Sequence, residues 1–217
     1  MAELEATYLA VVREWGQSIE SADPYTFGHC ERVARHGVAV ARALGMDQRA
    51  QTTLRLGAYL HDLGKVRVPH EILNKPGPLT RNELEVVQMH PIWGIELLAS
   101  VEFPWDLKPI IRWHHERYDG TGYPDRLRGD EIPLSSQVVG IADVYDALTT
   151  ARPYRLAFSR AAALAQIASC RGFWSDAVYD AFVTSLGQLP AVEPPVRSGR
   201  RLTLDPIASV LTHAPSP

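Results

Sequence analysis

Seven side chains carry the chemistry open to this sequence: His29, His61, Asp62, His90, His114, His115 and Asp143. Five imidazoles and two carboxylates form a shell suited to two divalent ions that share one bridging group. Paired ions of that kind hydrolyse phosphate esters, since they activate water and neutralise the charge that grows on the phosphoryl oxygens. The absence of thiolate from the set suits iron, manganese, nickel, zinc or magnesium alike, rather than an iron-sulfur cluster.

Taken singly, a histidine is ordinarily a surface or hydrogen-bonded core residue, and His36, His70 and His213 read that way. The other five are judged as a group. His61-Asp62 follows Leu54, Leu56, Ala58 and Leu60, and an ionised Asp beside a buried helix end is costly unless paired or metal-bound. Asp143 sits within Val138-Val139-Gly140-Ile141-Ala142-Asp143-Val144-Tyr145, where apolar neighbours bury most of a helix. A carboxylate there wants a cation. Asp146, one turn on, shares its face. Consecutive helical residues point about 100° apart, so His114 and His115 reach one cluster only where a helix ends or where metals straddle it.

Helical periodicity supplies the elements that must hold these groups. Leu4, Tyr8, Val11, Val12, Trp15 and Ile19 repeat at helix spacing. Asp23-Pro24 reads as a helix start, and the helix it opens carries His29, Val33, Val40 and Leu44 to Gly45. Asp47 caps a third helix that ends at His61-Asp62. A proline-containing connection covers residues 66 to 78, and Thr80 with Glu83 forms a capping box for a helix running to His90. A segment from Ile92 to Ala99 follows, then a helix opened by Pro104 or Pro109 that reaches Glu116. Residues 117 to 133 are too rich in Gly and Pro for regular structure. Val138 to Leu148, a helix capped by Ser159 and another capped by Ser175 complete an all-α reading, with no β-hairpin. From Leu189 the composition turns to Pro and Arg, as in a loosely held C-terminal extension.

The 217 residues suit one domain, here 1–188 with an N-terminal helix over 1–20 and a motif-bearing core over 21–188, followed by the 189–217 extension. A net charge of -3 argues against a dedicated binder of nucleic-acid polymers. Cys30 and Cys170 lack the number and spacing of a disulfide framework. The start lacks a basic signal, and no apolar run approaches the ~20 residues that cross a bilayer. A cytoplasmic protein without membrane attachment is expected. The apolar first helix suits either its own core or a homodimer.

The motifs resemble those of the HD-GYP family, a branch of the HD-domain metal-dependent phosphohydrolases. The matching runs are Asp23-Pro-Tyr-Thr-Phe-Gly-His29, Leu60-His-Asp-Leu-Gly-Lys65, Ile72-Leu-Asn-Lys-Pro-Gly-Pro-Leu-Thr80 and His90-Pro91. His114-His-Glu-Arg-Tyr-Asp-Gly-Thr-Gly-Tyr-Pro124, Ala142-Asp-Val-Tyr-Asp-Ala-Leu-Thr149 and Arg152-Pro-Tyr-Arg155 continue the order.

The resemblance implies an HD-domain helical bundle that hydrolyses cyclic di-GMP, a bacterial second messenger, to linear pGpG or onward to GMP through a metal-bridging hydroxide. It implies one ion on His29, His61, Asp62 and Asp143, and a second on Asp62, His90, His114 and His115. Tyr25 stands where some members carry a glutamate for a third ion, so two are expected. Lys65 is expected at a phosphate or the leaving oxygen, although alone it reads as an ordinary surface lysine. Asp146 is expected to orient a ligand or the nucleophile. Arg152 and Arg155 are expected to grip a guanine edge or a phosphate. The Gly122-Tyr123-Pro124 loop suits a substrate rim, or docking to a diguanylate cyclase or receptor protein, and by itself reads as a simple turn. Gln137 and Arg126 replace residues common in the family, Arg and Gly respectively. Two alternatives stay open: hydrolysis of a hybrid cyclic GMP-AMP, and a catalytically weak regulatory module.

Overall fold

Helix starts follow their side-chain signals in the computed structural model, which describes residues 2–21, 28–151 and 156–188. Its elements are α1 (Ala2–Ser21), α2 (His29–Ala43), α3 (Gln48–Leu60), α4 (His70–Leu73), α5 (Arg81–Val87), α6 (His90–Leu97), α7 (Lys108–Trp113), α8 (Leu134–Thr149), α9 (Arg160–Ser169) and α10 (Asp176–Gln188). Short 3-10 turns fill Leu63–Arg67, Gly129–Glu131 and Arg171–Phe173, and the described residues include no strand. The all-α expectation holds.

The Asp47 carboxylate accepts from Ala50 N at 2.7 Å and starts α3. Thr80 and Glu83 form the capping box of α5, with Thr80 N donating to Glu83 Oε2 at 2.7 Å. Ser159 Oγ accepts from Ala162 N and starts α9. Each such cap satisfies amide groups that the helix itself leaves unpaired, and contributes about 1 kcal/mol. Gly45, with φ of 70°, stops α2 where expected.

α2 lies at the centre and packs against α3, α8 and α10, while α1 covers α3. Val33 and Val40 of α2 meet a wholly buried core of Leu54, Leu60, Ile110, Ile141 and Phe182. Truncating such a buried aromatic costs about 3–5 kcal/mol, so this core can hold the site rigid. Two glycines set the close approaches beside it. A Cβ on Gly64 would collide with the His90 carbonyl, and one on Gly140 would lie 2.5 Å from the His114 carbonyl oxygen.

Three local expectations need correction. His90 opens α6 rather than closing α5, because Pro91 lacks an amide N–H and fits only a first turn. α7 stops at Trp113, short of Glu116. Residues 117 to 133 are not irregular throughout, since a short 3-10 turn occupies Gly129–Glu131. The Asp23-Pro24 start, Tyr25, Arg152, Arg155 and the 189–217 extension lie outside the described residues. Among the described residues no helix is long and apolar enough to cross a membrane.

Candidate metal centre

Helix ends deliver most of the seven side chains to one place. His29 is the first residue of α2, His61 directly follows α3, His90 opens α6, and His114 directly follows α7. Asp143 comes from within α8. Glu20, in the last turn of α1, accepts from Gly28 N and Cys30 N at 2.6 Å each, and so fixes the start of α2 around His29. Sequence reasoning missed Glu20, because its partners are amides across residues 21 to 27 and no spacing signals them.

Two groups of ligand atoms result. His29, His61 and Asp143 offer atoms within 4.8 Å of one another, and so do Asp62, His90, His114 and His115. The Asp62 carboxylate lies between the groups. Its Oδ2 is 3.4 Å from His61 Nε2 and 3.8 Å from His29 Nε2, and its Oδ1 is 3.3 Å from His90 Nε2. Oδ1 is buried and has no hydrogen-bond partner, an arrangement that costs free energy unless a cation meets it.

The ring tautomers make the same case. His61 Nδ1 donates to the Ala58 carbonyl at 2.7 Å, His90 Nδ1 to Val87 at 2.8 Å, and His114 Nδ1 to Ile110 and Ile111 at 3.1 Å. A carbonyl can only accept, so each neutral ring keeps a lone pair on Nε2. Yet His90 Nε2 lies 3.3 Å from His114 Nε2, and His29 Nε2 lies 3.4 Å from His61 Nε2. The lone pairs of His90 and His114 cannot bond each other. A positive ion between them resolves that contact, and the residues present therefore fit a metal centre.

Electrostatics point the same way. Burial holds His90 down to about 4, against the pull of Asp62. Burial and neighbouring imidazoles hold His114 and His115 well below the ordinary histidine range. Neutral rings are the state in which imidazole binds metal. Burial would raise Asp62, but the Lys65 ammonium and the His61, His90 and His29 rings outweigh it and keep it well below the carboxylate range. His29 departs from the other rings: burial lowers it, yet Asp146, Asp143 and Asp62 together leave it raised.

The family model described as "HD domain" matches residues 16–178. The chain belongs to the HD-domain family. It is 38% identical over 195 residues, 88% of its length, to the cyclic di-GMP phosphodiesterase response regulator RpfG of Xanthomonas campestris. It is 40% identical over 163 residues, 75% of its length, to the 3'3'-cGAMP-specific phosphodiesterase 3 of Vibrio cholerae. The chain covers 52% of the first relative and 35% of the second. Among solved structures, an HDG"Y"P protein from Bdellovibrio bacteriovorus superposes with a TM-score of 0.61 at 27% identity, over 73% of this chain and 51% of that one. The HD-GYP resemblance read from the motifs agrees with these relatives.

Beyond the seven, this HD domain supports its site with charged groups. Asp146 lies behind His29, its Oδ2 2.8 Å from Nδ1, and Arg32 donates to it through Nε at 2.5 Å and Nη2 at 3.0 Å. Burial alone would raise Asp146, but the bonds to His29 and Arg32 bring it down to about 2. Arg32 was missed as well, although its place one helical turn after His29 is a legible signal. Lys65 Nζ contacts Asp62 Oδ2 at 2.6 Å.

The loop after His115 is anchored rather than loose. The buried Glu116 carboxylate accepts from Asp125 N at 2.6 Å and Leu127 N at 3.1 Å. Arg112 donates to both oxygens of Asp125 at 2.6 and 2.8 Å, joined by Trp113 Nε1 at 2.7 Å. These contacts bring Tyr123 over His115, so Gly122-Tyr123-Pro124 borders the site. Arg126 adopts a φ of 57°, the left-handed region that favours glycine, which fits the Gly that the resemblance implies at this place. Gln137, the other departure, is buried, bonding the Ile132 carbonyl and Ser175 N at 3.0 Å each.

Proposed function

We propose that this chain is a metal-dependent phosphodiesterase of cyclic dinucleotides, with cyclic di-GMP as the leading substrate and linear pGpG or GMP as the product. The observation that carries the reading is the Asp62 carboxylate, which turns one oxygen toward each ligand group and keeps Oδ1 without a protein partner. His29, His61, Asp62 and Asp143 would hold one divalent ion, and Asp62, His90, His114 and His115 another. Iron or manganese suits this donor set. Bound there, such ions would supply an activated water and neutralise developing phosphoryl charge.

The remaining groups then have separable tasks. Lys65, whose side chain is 27% exposed beside Asp62, is proposed to meet a phosphate or the leaving oxygen, where a cation aimed at developing charge has most effect. Asp146 would orient His29. Arg152 and Arg155 are proposed to grip the guanine edge or a phosphate. The stack of Tyr123 on His115 favours a substrate rim for its loop, with docking to a diguanylate cyclase or receptor as a further role of its outer face. Leu4, Val11 and Trp15, exposed along α1, offer a homodimer surface. The free thiols Cys30 and Cys170 suit work in the cytoplasm.

A second reading, hydrolysis of 3'3'-cGAMP, has specific support in the name of the Vibrio cholerae relative. A regulatory module without turnover has less, since docking alone gives no physical reason to gather seven ligands. The test is product analysis by chromatography with manganese- or iron-loaded protein, against both cyclic dinucleotides. The proposal expects cleavage of cyclic di-GMP and its loss in Asp62→Asn. Cleavage of cGAMP alone would transfer the assignment to the second reading. Absence of turnover with metal bound would favour the regulatory module.

A further inference from the structure

We infer that Arg32 is a positioning residue for His29, acting through Asp146 to keep the His29 Nε2 aimed into the ligand group of His61 and Asp143. The inference rests on the proposed reading of His29 as a metal ligand.

Three of the other rings are fixed by backbone. His61, His90 and His114 each donate from Nδ1 to a main-chain carbonyl three residues back, at Ala58, Val87 and Ile111. A carbonyl at a helix end is held by the helix, so those rings are oriented by backbone. His29 instead begins α2, and the partner of its Nδ1 is the side-chain carboxylate of Asp146, 117 positions along the chain. A carboxylate on two rotatable bonds orients a ring only if it is itself held.

Arg32 supplies that hold. Its Nε takes Asp146 Oδ1 at 2.5 Å, and its Nη2 reaches Oδ2, the oxygen facing His29, at 3.0 Å. The planar fork therefore fixes both the position and the rotation of the carboxylate. Thr150 Oγ1, at 3.4 Å from Oδ2, is a longer contact. His29 and Arg32 lie one turn apart on α2, so ring and clamp share one rigid element while Asp146 arrives from α8. With Oδ2 fixed beneath Nδ1, a proton stays on that nitrogen and Nε2 faces Asp143, 3.4 Å away. A lysine, with one rotatable ammonium, would not reproduce the fork.

Two variants and two readouts test this. In metal-stripped protein, proton–nitrogen NMR of the imidazoles should show a slowly exchanging proton on His29 Nδ1, held by Asp146. In Arg32→Gln that proton should exchange faster with solvent, with the Nδ1 protons of His61, His90 and His114 unchanged. Calorimetric titration with Mn²⁺ should show Arg32→Gln weakened about 10- to 100-fold at one of two sites, and Arg32→Lys only partly restored. Should Arg32→Gln lose its fold, Arg32→Lys carries the same comparison. An unaltered His29 Nδ1 proton together with unaltered Mn²⁺ affinity at both sites overturns the inference. The NMR readout needs no metal, so failure of wild-type protein to bind Mn²⁺ would count against the proposed function alone.

Discussion

The Tyr123 ring stacks on the His115 imidazole, their centroids 4.8 Å apart and their planes 26° from parallel. His115 follows the end of α7, so its ring is steered by the loop that comes after it. Glu116 and Asp125 tie that loop to the end of the same helix. Stacked aromatic pairs contribute about 0.5–1.5 kcal/mol. Tyr123→Ala is therefore expected to lower affinity for the ion of the His90, His114 and His115 group by about tenfold or less. Tyr123→Phe, which keeps the ring, should stay near wild type. Metal titration of the two variants separates the outcomes.

Lys65 bonds the carboxylate that joins the two ligand groups. Lys65→Ala is expected to lower kcat by about 10²–10³-fold, the usual cost of removing a group aimed at developing charge. Metal content should not fall, because Asp62 loses a competitor for its oxygens and not a support. Elemental analysis beside a product time course checks both halves.

His36 supplies a pH prediction away from the ligands. It is buried, its ring is edge-on to Tyr145 at 5.1 Å, and its Nδ1 has no partner. Burial, with Arg35 and other nearby arginines, brings it down to about 4. The folded value lies below the unfolded one of about 6.5, so the unfolded chain takes the proton first as pH falls. His36 thus costs nothing above about pH 6.5, and stability drops as pH falls from there toward about 4. By linkage the loss is about 2 kcal/mol at pH 5. Urea denaturation of wild type and His36→Leu at pH 7.5 and 5 should show the gap between them shift by that amount in favour of the variant.

Gly64 sits where the turn after Asp62 meets the start of α6. Gly64→Ala would drive a methyl group into the His90 carbonyl and push apart two residues of one ligand group. Overpacking of this kind costs about 1–3 kcal/mol. Activity should fall by more than stability explains, which thermal melting and initial rates together would show.

Much of this was legible in sequence because it depends on local rules. Asp47, Thr80 and Ser159 announce their helices through side chains that pair with amides three residues away. The seven candidate ligands were legible by type, six of them by places at or beside helix ends and Asp143 by its apolar helix. What escaped depends on convergence. Arg32 meets Asp146 across 114 positions, and Glu20 caps a helix it does not belong to. The end of α5 escaped for a different reason: Pro91 was read as a boundary after His90, when a proline in the first turn places that boundary before it.

The central claim is that Asp62 joins two ions. Crystallography of manganese-loaded protein with anomalous scattering at the metal edge tests it most directly. The account predicts two peaks about 3.5–4 Å apart, one among His29, His61 and Asp143, the other among His90, His114 and His115, with an Asp62 oxygen on each. A single peak, or peaks away from Asp62, would contradict it.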